Sequence, residues 1–410
     1  MKAFSDSNLE AIRKDFPILQ KTMRGKRLVY LDSGATAQKP VQVIDAMDQF
    51  YREHYGTVHR AIYELAEYST QAYSEVREKV RAFLNASSIE EIIFTRGATE
   101  SINLVAYSFG KAFVKPGDEI LISALEHHSN IVPWQILCED RGAVLRVIPV
   151  DDGGVLDLEA YQTLLNSKTR LVALTHVANS IGTLNPIKEM AAMAHQVGAC
   201  VLVDGAQAAP HLPLDVSWLD VDFYVFSGHK LYGPTGVGVL FGREELLNRM
   251  PPYQGGGDMI LHVTFEKSTY NTLPLKFEAG TPMMAEIIGL GAAVDYLEAL
   301  GREAVHMHEN DLLVYATQRL VEVPKVRIIG NAPHKGAIIS FVVEGTHHLD
   351  VGTFLDLKGI AVRTGHHCAQ PTMQRYGVSG TVRASFGLYN TRAEIDLFVD
   401  ALSDVVKKLA

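Results

Sequence analysis

The chain has 410 residues, of which 47% are hydrophobic, and a formal net charge of −9 at pH 7. This length and hydrophobic content predict a globular protein of roughly two to three domains. The acidic balance, without a long block of like charges, argues against a nucleic-acid partner. No apolar run reaches the roughly 18 residues of a membrane span.

The N-terminus and the cysteines point to the same compartment. Residues 1–20 mix charged residues with isolated apolar ones and lack the apolar core of a secretion signal. The cysteines Cys138, Cys200 and Cys368 are widely separated and form no C-x-x-C pair. They predict neither a disulfide framework nor a zinc ribbon, and we expect a cytoplasmic protein.

Short apolar runs in the first 250 residues predict buried strands that lack in/out alternation, as in parallel sheets covered on both faces. Helical patterns lie between them, such as 186–197, which a proline opens and Gly198 closes. This alternation predicts a mainly parallel α/β domain. The predicted strands are Glu119–Ser123, 171–177, Cys200–Asp204, Phe223–Ser227 and 237–241.

The last third of the chain has a different pattern. A long helical stretch over 287–300 leaves the first domain. Strands near Val326–Ile329 and 337–343 and a closing helix at Arg392–Leu409 then predict a smaller α+β domain.

Lys230 follows an apolar strand and lies in a loop rich in glycine and proline. An amine in such a place is poorly solvated and suited to covalent bonding with an aldehyde. Asp204 also ends a strand and is followed by Gln207. Alone, Asp204 resembles a helix N-cap, but beside Lys230 it is the carboxylate that a pyridinium nitrogen needs. Together with Asn179, these residues fall at strand carboxyl ends and predict a pyridoxal phosphate (PLP) site.

Residues 95–103 turn through Gly97 into a predicted helix at 101–106. Free N–H groups at a helix start, together with the Thr99 hydroxyl, form a phosphate site. Helix N-caps are common, so the turn alone is weak evidence.

The adjacent histidines His127 and His128 raise the question of a metal. Neighbouring residues on an extended chain point to opposite faces, and no matched Cys, His or carboxylate spacing follows. We therefore expect no metal site. For His128 the simpler interpretation is a histidine that has no functional role and forms its hydrogen bonds within its own loop.

Cys368 closes the segment Arg363-Thr-Gly-His-His-Cys368. Positive neighbours raise the thiolate fraction of a cysteine at neutral pH, which makes Cys368 the candidate nucleophile. Cys138 lies on a helical apolar pattern and Cys200 begins a predicted strand, so both are expected to be inert small hydrophobes.

Six motifs are spread along nearly the whole chain: Tyr-Leu-Asp-Ser-Gly-Ala-Thr-Ala-Gln-Lys-Pro at 30–40, Glu-His-His-Ser-Asn-Ile-Val-Pro-Trp at 126–134, Asp-Gly-Ala-Gln at 204–207, Ser-Gly-His-Lys at 227–230, Phe-Glu-Ala-Gly-Thr-Pro at 277–282 and Arg-Thr-Gly-His-His-Cys at 363–368. Together they resemble the SufS-type, group II cysteine desulfurases, which are fold-type I PLP enzymes of the aminotransferase class V family. The departures are minor: Gly34 replaces a common alanine, and Ser180-Ile181 replaces a commoner Asn-Val.

The resemblance implies a large PLP-binding domain over residues 25–297 with a mainly parallel seven-stranded sheet. It also implies a small α+β domain, made of residues 1–24 and 298–410, that carries the cysteine loop.

The resemblance also implies how PLP is held. Lys230 would carry the cofactor, Asp204 would pair with its pyridinium nitrogen, and Gln207 would contact its phenolic oxygen. His127 would stack on the ring and handle protons, for which an ordinary pKa near 6.5 is suited. Thr281 would reach the phosphate of a neighbouring subunit, which implies a homodimer. The residues implied for the phosphate within one chain are Ala98, Thr99, Ser227 and His229.

On the substrate side, Arg383 resembles the arginine that binds the substrate carboxylate with two parallel hydrogen bonds. The alternative without a functional role is that Arg383 forms a salt bridge at the surface. The resemblance also implies substrate contacts for Arg363 and Asn179, and a place at the rim of the site for His59.

The activity so implied converts L-cysteine into L-alanine and a persulfide on Cys368, for iron–sulfur cluster assembly. Because the cysteine loop is short, a separate SufE-like or SufU-like acceptor protein would collect the sulfur. A hairpin over 255–272 would border the site across the dimer. Two interpretations remain for His347 and His348: they are a solvent-exposed pair in a loop, or they contact a zinc-bearing acceptor protein. The alternatives are a selenocysteine lyase or cysteine sulfinate desulfinase, a PLP aminotransferase, and a non-catalytic scaffold.

Overall fold

The structure is a computed structural model that describes residues 4–59 and 61–409. Its helices are α1 Asp6–Lys14, α2 Val41–Gln49, α3 Glu64–Leu84, α4 Ala98–Phe113, α5 Val132–Arg141, α6 Leu158–Leu164, α7 Ile187–Gln196, α8 Val216–Leu219, α9 Glu244–Arg249, α10 Met284–Leu300, α11 Arg302–Val321, α12 His348–Leu357, α13 Gln370–Arg375 and α14 Arg392–Leu409. Its strands are β1 Thr22–Met23, β2 Lys26–Arg27, β3 Val29–Tyr30, β4 Ile92–Thr95, β5 Glu119–Ser123, β6 Val144–Ile148, β7 Thr169–Thr175, β8 Cys200–Asp204, β9 Phe223–Ser227, β10 Gly238–Gly242, β11 Ile260–Val263, β12 Ser268–Tyr270, β13 Val326–Ile329, β14 Ile338–Val343, β15 Ile360–Ala361, β16 Arg363–Gly365 and β17 Thr381–Ser385.

A seven-stranded sheet with the order β4-β10-β9-β8-β7-β5-β6 forms the larger core. The strands from β9 to β6 pair in parallel, and β10 pairs antiparallel with both β9 and β4. All residues of β5, β9 and β10 are buried, because apolar side chains cover both faces of the sheet. The predicted mainly parallel α/β architecture is confirmed.

The register of this sheet brings polar side chains to one edge. Thr175 pairs with Asp204, and Asp204 pairs with Val225, so β7, β8 and β9 end almost level. Ser227 then pairs with Gly238 across the loop that contains Lys230. Asp204 and Lys230 therefore meet at the carboxyl ends of neighbouring strands, as expected for a ligand site in such a sheet.

Most predicted elements match within a few residues. The strand predicted over 171–177 is β7, two residues earlier, and the strand predicted over 237–241 is β10, one residue later. The helix predicted at 101–106 is longer than expected: α4 begins at Ala98, directly after Gly97.

A four-stranded antiparallel sheet, β13-β14-β17-β16, forms the core of the C-terminal part. Its apolar face packs with α11, α12 and α14 around Phe341 and Phe398. Chain segment β3 pairs in parallel with β15, which ties the N-terminal region to this part. The domain limits at residues 24 and 297 stay a prediction.

Two further expectations concern the periphery. The hairpin expected within 255–272 is the antiparallel pair β11 and β12, whose outer residues are mostly exposed. Among the described helices, none has the length and apolar character needed to cross a membrane.

Candidate active site

Lys230 ends a short 3-10 turn, Gly228–Lys230, that follows β9 directly. Its side chain is half-buried, and the loss of hydration lowers its pKa to about 8, although the Asp204 carboxylate opposes this shift. An amine with this pKa is partly uncharged near neutral pH. Lys230 is therefore a better nucleophile than an exposed lysine.

Asp204 lies at the end of β8 and is 5% exposed. Its Oδ1 accepts a hydrogen bond from the Ala206 N–H at 2.9 Å, within a turn and not at a helix start. The helix N-cap alternative for Asp204 is therefore wrong. Burial raises the pKa of this carboxyl, and the Lys230 ammonium opposes the shift. A buried carboxylate of this kind fits a cationic ring nitrogen.

Gln207 lies one turn after Asp204 and is buried. Its Nε2 donates to the Gly34 carbonyl at 2.6 Å, while its Oε1 is buried and has no partner among the described residues. A buried acceptor without a partner costs about 1–3 kcal/mol. The Oε1 atom therefore fits a hydrogen-bond donor on a bound molecule, such as a ring hydroxyl.

His127 lies between β5 and the short 3-10 turn His128–Asn130. Its Nδ1 accepts from the Ser129 N–H at 3.1 Å and lies 2.8 Å from the Ser129 Oγ. Burial, together with the Lys230 charge, lowers its pKa to about 3, far below the ordinary value expected from the sequence. The ring is therefore neutral, and its proton is on Nε2.

The start of α4 lies against the end of β9. The Ala98 N–H donates to the Ser227 Oγ at 2.9 Å, and the first turn of a helix leaves N–H groups free for an anion. Gly97 has a φ of +155°, and a Cβ added at Gly238 would lie 2.4 Å from the Gly97 Cα. This close backbone approach leaves a turn that fits a phosphate, with Thr99 on the same turn.

The described hydrogen bonds of His229 are made with residues that precede α2. Its Nδ1 lies 3.2 Å from the Thr36 Oγ1, and its carbonyl accepts from the Lys39 ammonium at 2.8 Å. Burial lowers the pKa of His229 to about 4, so its ring is neutral. The phosphate contact expected for His229 stays a prediction.

Arg383 lies in the middle of β17 and is 1% exposed, so the surface salt bridge alternative is wrong. One terminal nitrogen donates to the Asn179 carbonyl at 2.9 Å and the other to the Asp32 carboxylate at 3.2 Å. Its Nε is buried and has no partner among the described residues. Arg363 stands opposite Arg383 in the register of β16 and β17. Two guanidinium groups beside Asp32 form a site suited to a substrate carboxylate.

The cysteine loop follows β16 and contains two successive non-glycine residues in the left-handed region, His367 with φ 53° and Cys368 with φ 55°. Such a conformation costs roughly 1–2 kcal/mol per residue, so neighbouring contacts must hold it. The Asn179 Nδ2 donates to the His367 carbonyl at 2.7 Å, and the Cys368 Sγ lies 3.9 Å from an Arg363 nitrogen. Asn179 thus links the arginine site to the cysteine loop.

Of the other two cysteines, Cys138 is buried and Cys200 is half-buried. Burial raises the pKa of Cys138 on α5 to about 11 and that of Cys200 on β8 to about 12. Both thiols are therefore protonated at neutral pH, which agrees with the inert role expected for them.

Two predicted residues lie in a second cluster. His59 is exposed, and its ring meets the Tyr73 ring edge-on at 5.5 Å between centroids. Thr281 is exposed and borders a cleft of about 230 Å³, which Tyr73 and Arg96 also line. None of the contacts described for these residues joins them to Lys230 within the same chain.

Two residues of the site were not singled out from the sequence: Asp32, which contacts Arg383, and Ser129, which sets the proton position on His127. A third, His128, was expected to be satisfied within its own loop, but it contacts the cysteine loop. Both Asp32 and Ser129 lie within motifs that carry the resemblance. The partner of Asp32, however, is distant in sequence, and the contact of Ser129 depends on the conformation of the local turn. Within residues 4–59 and 61–409, no group of three or more His, Cys, Asp or Glu side chains could hold a metal ion.

Comparison with known proteins agrees with this geometry. The family model described as "Aminotransferase class-V" matches residues 29–398. The chain is 52% identical over 402 residues to a cysteine desulfurase of Dickeya dadantii (strain 3937), covering 98% of this chain and 97% of that protein. It is 51% identical to the probable cysteine desulfurase 1 of Mycobacterium leprae (strain TN), covering 98% of this chain but 65% of that protein. The chain thus spans less than two thirds of the length of some curated relatives.

A solved structure is similar over the whole length. The apo structure of a cysteine desulfurase from Thermococcus onnurineus NA1 superposes with a TM-score of 0.94 at 38% identity, covering 100% of both chains. These similarities in sequence and fold agree with the three features of the site: Lys230 after a strand, the buried Asp204, and the turn before α4 that fits a phosphate. The chain therefore belongs to the aminotransferase class V family, whose cofactor is pyridoxal phosphate.

Proposed function

We propose that the protein is a PLP-dependent cysteine desulfurase that converts L-cysteine into L-alanine and leaves the sulfur as a persulfide on Cys368. The observation that carries this proposal is the position of Cys368. Its Sγ lies beside Arg363, in a loop that Asn179 joins to the Arg383 site. A thiol held next to a carboxylate site can reach the sulfur of a bound cysteine.

The residues that would hold the cofactor follow from the site. Lys230 offers the amine, Asp204 the partner for the ring nitrogen, and Gln207 a free acceptor for the ring hydroxyl. The neutral ring of His127 would lie against the cofactor ring. Bound PLP supplies an electron sink for negative charge at the substrate α-carbon. The phosphate contacts would come from Ala98, Thr99, Ser227 and His229.

On the substrate side, Arg383 and Arg363 would bind the carboxylate, and Asn179 would keep Arg383 and the cysteine loop in place. The Cys368 thiolate attacks the substrate sulfur, and the substrate C–S bond breaks. The carbon receives the electron pair and a proton to become alanine, while the sulfur stays on Cys368 as S–SH. Atoms balance because one thiol hydrogen ends on alanine and the other on the persulfide.

We also propose a homodimer in which Thr281 of one subunit reaches the phosphate site of the other and His59 stands at the rim. Supporting this, large apolar side chains near the second cluster and on the hairpin are exposed, including Ile62 at 95% and Phe265 at 108%. Such side chains support an interaction surface where they join into a contiguous apolar patch. A SufE-like or SufU-like protein would then take the sulfur for cluster assembly, as the resemblance to the group II type implies.

The test is alanine production by the purified holoenzyme from L-cysteine with a thiol reductant. We expect equimolar alanine and sulfide, and mass spectrometry should find one additional sulfur atom on the Cys368 peptide. Cys368→Ser should lose this activity by orders of magnitude, since a hydroxyl is a far poorer sulfur acceptor. Cys138→Ser is the matched control and should keep it.

Other outcomes would identify the alternatives. Undiminished alanine from Cys368→Ser would overturn the mechanism. A keto acid product would identify an aminotransferase. Faster release from selenocysteine or cysteine sulfinate, independent of Cys368, would identify a lyase or desulfinase.

A further inference from the structure

His128 contacts the cysteine loop at two points. Its backbone N–H donates to the Cys368 carbonyl at 2.7 Å, and its ring Nε2 accepts from the Gln370 N–H at 3.2 Å. These two bonds span residues 368–370, where the loop enters α13. His128 therefore holds both ends of this turn, one through its backbone and the other through its ring.

The turn needs such support from outside. The left-handed conformation at His367 and Cys368 persists only where the surroundings impose it. Some of the contacts come from within the loop, where the Cys368 N–H donates to the His366 Nδ1 at 3.2 Å and the Ala369 N–H to the His366 carbonyl at 2.8 Å. The bonds to His128 come instead from the turn that follows β5 in the other sheet.

The His128 ring is suited to this acceptor role. Because Nε2 accepts an N–H, the proton of the neutral ring must lie on Nδ1. Burial lowers the pKa of His128, and the His366 ring, 5.7 Å away between centroids, adds to the shift. The His127 ring lies 6.2 Å from the His128 ring between centroids. The neutral, accepting form is therefore favoured.

We propose that His128 is a positioning residue for the sulfur-accepting thiol: its ring holds the turn at 368–370 so that the Cys368 Sγ faces the substrate site. This proposal rests on the proposed function, because it assigns the purpose of the contact to the transfer of sulfur. The sequence had left His128 as a histidine satisfied within its own loop. The structure instead connects its ring to the first residue of α13.

The test compares His128→Ala with His128→Gln in the holoenzyme. Both variants keep the backbone bond to Cys368, but only the glutamine offers a side-chain oxygen that can accept an N–H. We expect His128→Ala to lower kcat for L-cysteine by roughly 10- to 100-fold with little change in KM, because a small misplacement of a reacting group has an effect of this size. His128→Gln should recover most of the loss, and the exposed His334→Ala should match the parent protein.

Labelling with iodoacetamide gives a readout that does not depend on turnover. In His128→Ala, the labelling rate of Cys368 should change while Cys138 and Cys200 stay unreactive, since only the turn is released. Parent-like kcat and parent-like Cys368 labelling in His128→Ala would overturn the proposal. So would new labelling of Cys138 and Cys200, which reports general loosening, or failure of His128→Gln to recover activity.

Failure of the proposed function gives a different result. In that case the parent protein makes no alanine, or Cys368→Ser keeps full activity, whatever the substitution at position 128 does. An active parent that depends on Cys368 but not on the His128 ring contradicts the positioning role alone.

Discussion

Arg363 and Arg383 stand directly opposite each other on the antiparallel strands β16 and β17, and the second of these guanidinium groups is almost fully buried. Like charges in this arrangement repel each other, and their repulsion contributes to a lowered pKa of Arg383, after the larger effect of burial. Asp32 offsets only part of the positive charge. A substrate carboxylate would relieve the repulsion as well as fill the free Nε of Arg383.

This arrangement predicts that Arg383→Lys is not a conservative change. Lysine keeps the charge but cannot form two parallel bonds to a carboxylate, and the lost charge-assisted bond is worth about 1.5–3 kcal/mol. We expect kcat/KM for L-cysteine to fall by roughly 10- to 100-fold, mainly through KM. Steady-state kinetics beside Arg375→Lys, an exposed arginine paired with Asp152, provides the comparison. An unchanged KM in Arg383→Lys would exclude carboxylate binding by this residue.

Lys230 predicts the pH dependence of cofactor attachment. Only the uncharged amine reacts with an aldehyde, and the lowered pKa of Lys230 places its deprotonation near pH 8. The rate of PLP uptake by apoprotein should therefore rise with pH and level off above about pH 8. Stopped-flow absorbance measures this rate. Borohydride should fix the cofactor on the Lys230 peptide, and Lys230→Ala should carry none. Attachment to another lysine would contradict the assignment.

The linkage to stability has a defined sign. Because the pKa of Lys230 is lowered on folding, its poorly hydrated ammonium destabilises the apoprotein most at pH below about 8, and the effect disappears above the ordinary lysine pKa of 10.5. Lys230→Met should therefore raise the apoprotein Tm at pH 7 more than at pH 10. Equal shifts at the two pH values would show that Lys230 is not desolvated.

Asp204→Asn tests the partner of the ring nitrogen. Asparagine preserves the acceptor for the Ala206 N–H but removes the negative charge. Because the charge stabilises the protonated ring, we expect kcat to fall by roughly 100- to 1000-fold, as for other preorganised electrostatic groups. The absorbance band of bound PLP should also shift. A variant with parent kcat would show that Asp204 serves only the turn.

The dimer predicts complementation between two impaired variants. In a hybrid of Lys230→Ala and Thr281→Ala subunits, one site would contain an intact lysine with an intact threonine from its neighbour. Random exchange should restore roughly a quarter of the sites, because half of the dimers are hybrids with one complete site each. Alanine production after mixing measures this recovery. A monomer by sedimentation, or no recovery after subunit exchange, would refute the shared site.

The Arg77–Glu278 pair, beside the cleft that Tyr73 and Thr281 line, predicts a stability effect. The two side chains are 5% and 7% exposed and form two bonds of 2.9 and 2.8 Å, and Glu278 also accepts the Phe94 N–H. Removal of one buried partner leaves an unpaired charge, so Glu278→Gln should cost about 3–5 kcal/mol. Arg52→Ala, which breaks the exposed pair with Asp48, should leave the stability nearly unchanged, because solvent screens this pair. Chemical denaturation of both variants gives the comparison.

The strands and the strand-end residues were predictable because each is a local pattern. Uninterrupted apolar runs mark β5, β8 and β9, and Asp204 and Lys230 follow two of them. The start of β7 was missed because Thr169 and Arg170 are polar, and the antiparallel pairing of β10 depends on partners that no short segment contains.

Properties of the site that depend on distant partners could not be read locally. The neutral state of His127 follows from burial beside Lys230, about a hundred residues along the chain. The contact between His128 and Gln370 joins two loops that lie together only after both sheets have packed.

The close approach of Gly238 to Gly97 has one further consequence. At Gly238, the strand that closes the Lys230 loop approaches the backbone of the turn before α4, and Ser227 bonds to that turn from the neighbouring strand. The distance between Lys230 and the phosphate turn is therefore set by the backbone, and changes in side-chain size cannot alter it. A cofactor analogue lengthened by one methylene between ring and phosphate should consequently bind at one end only.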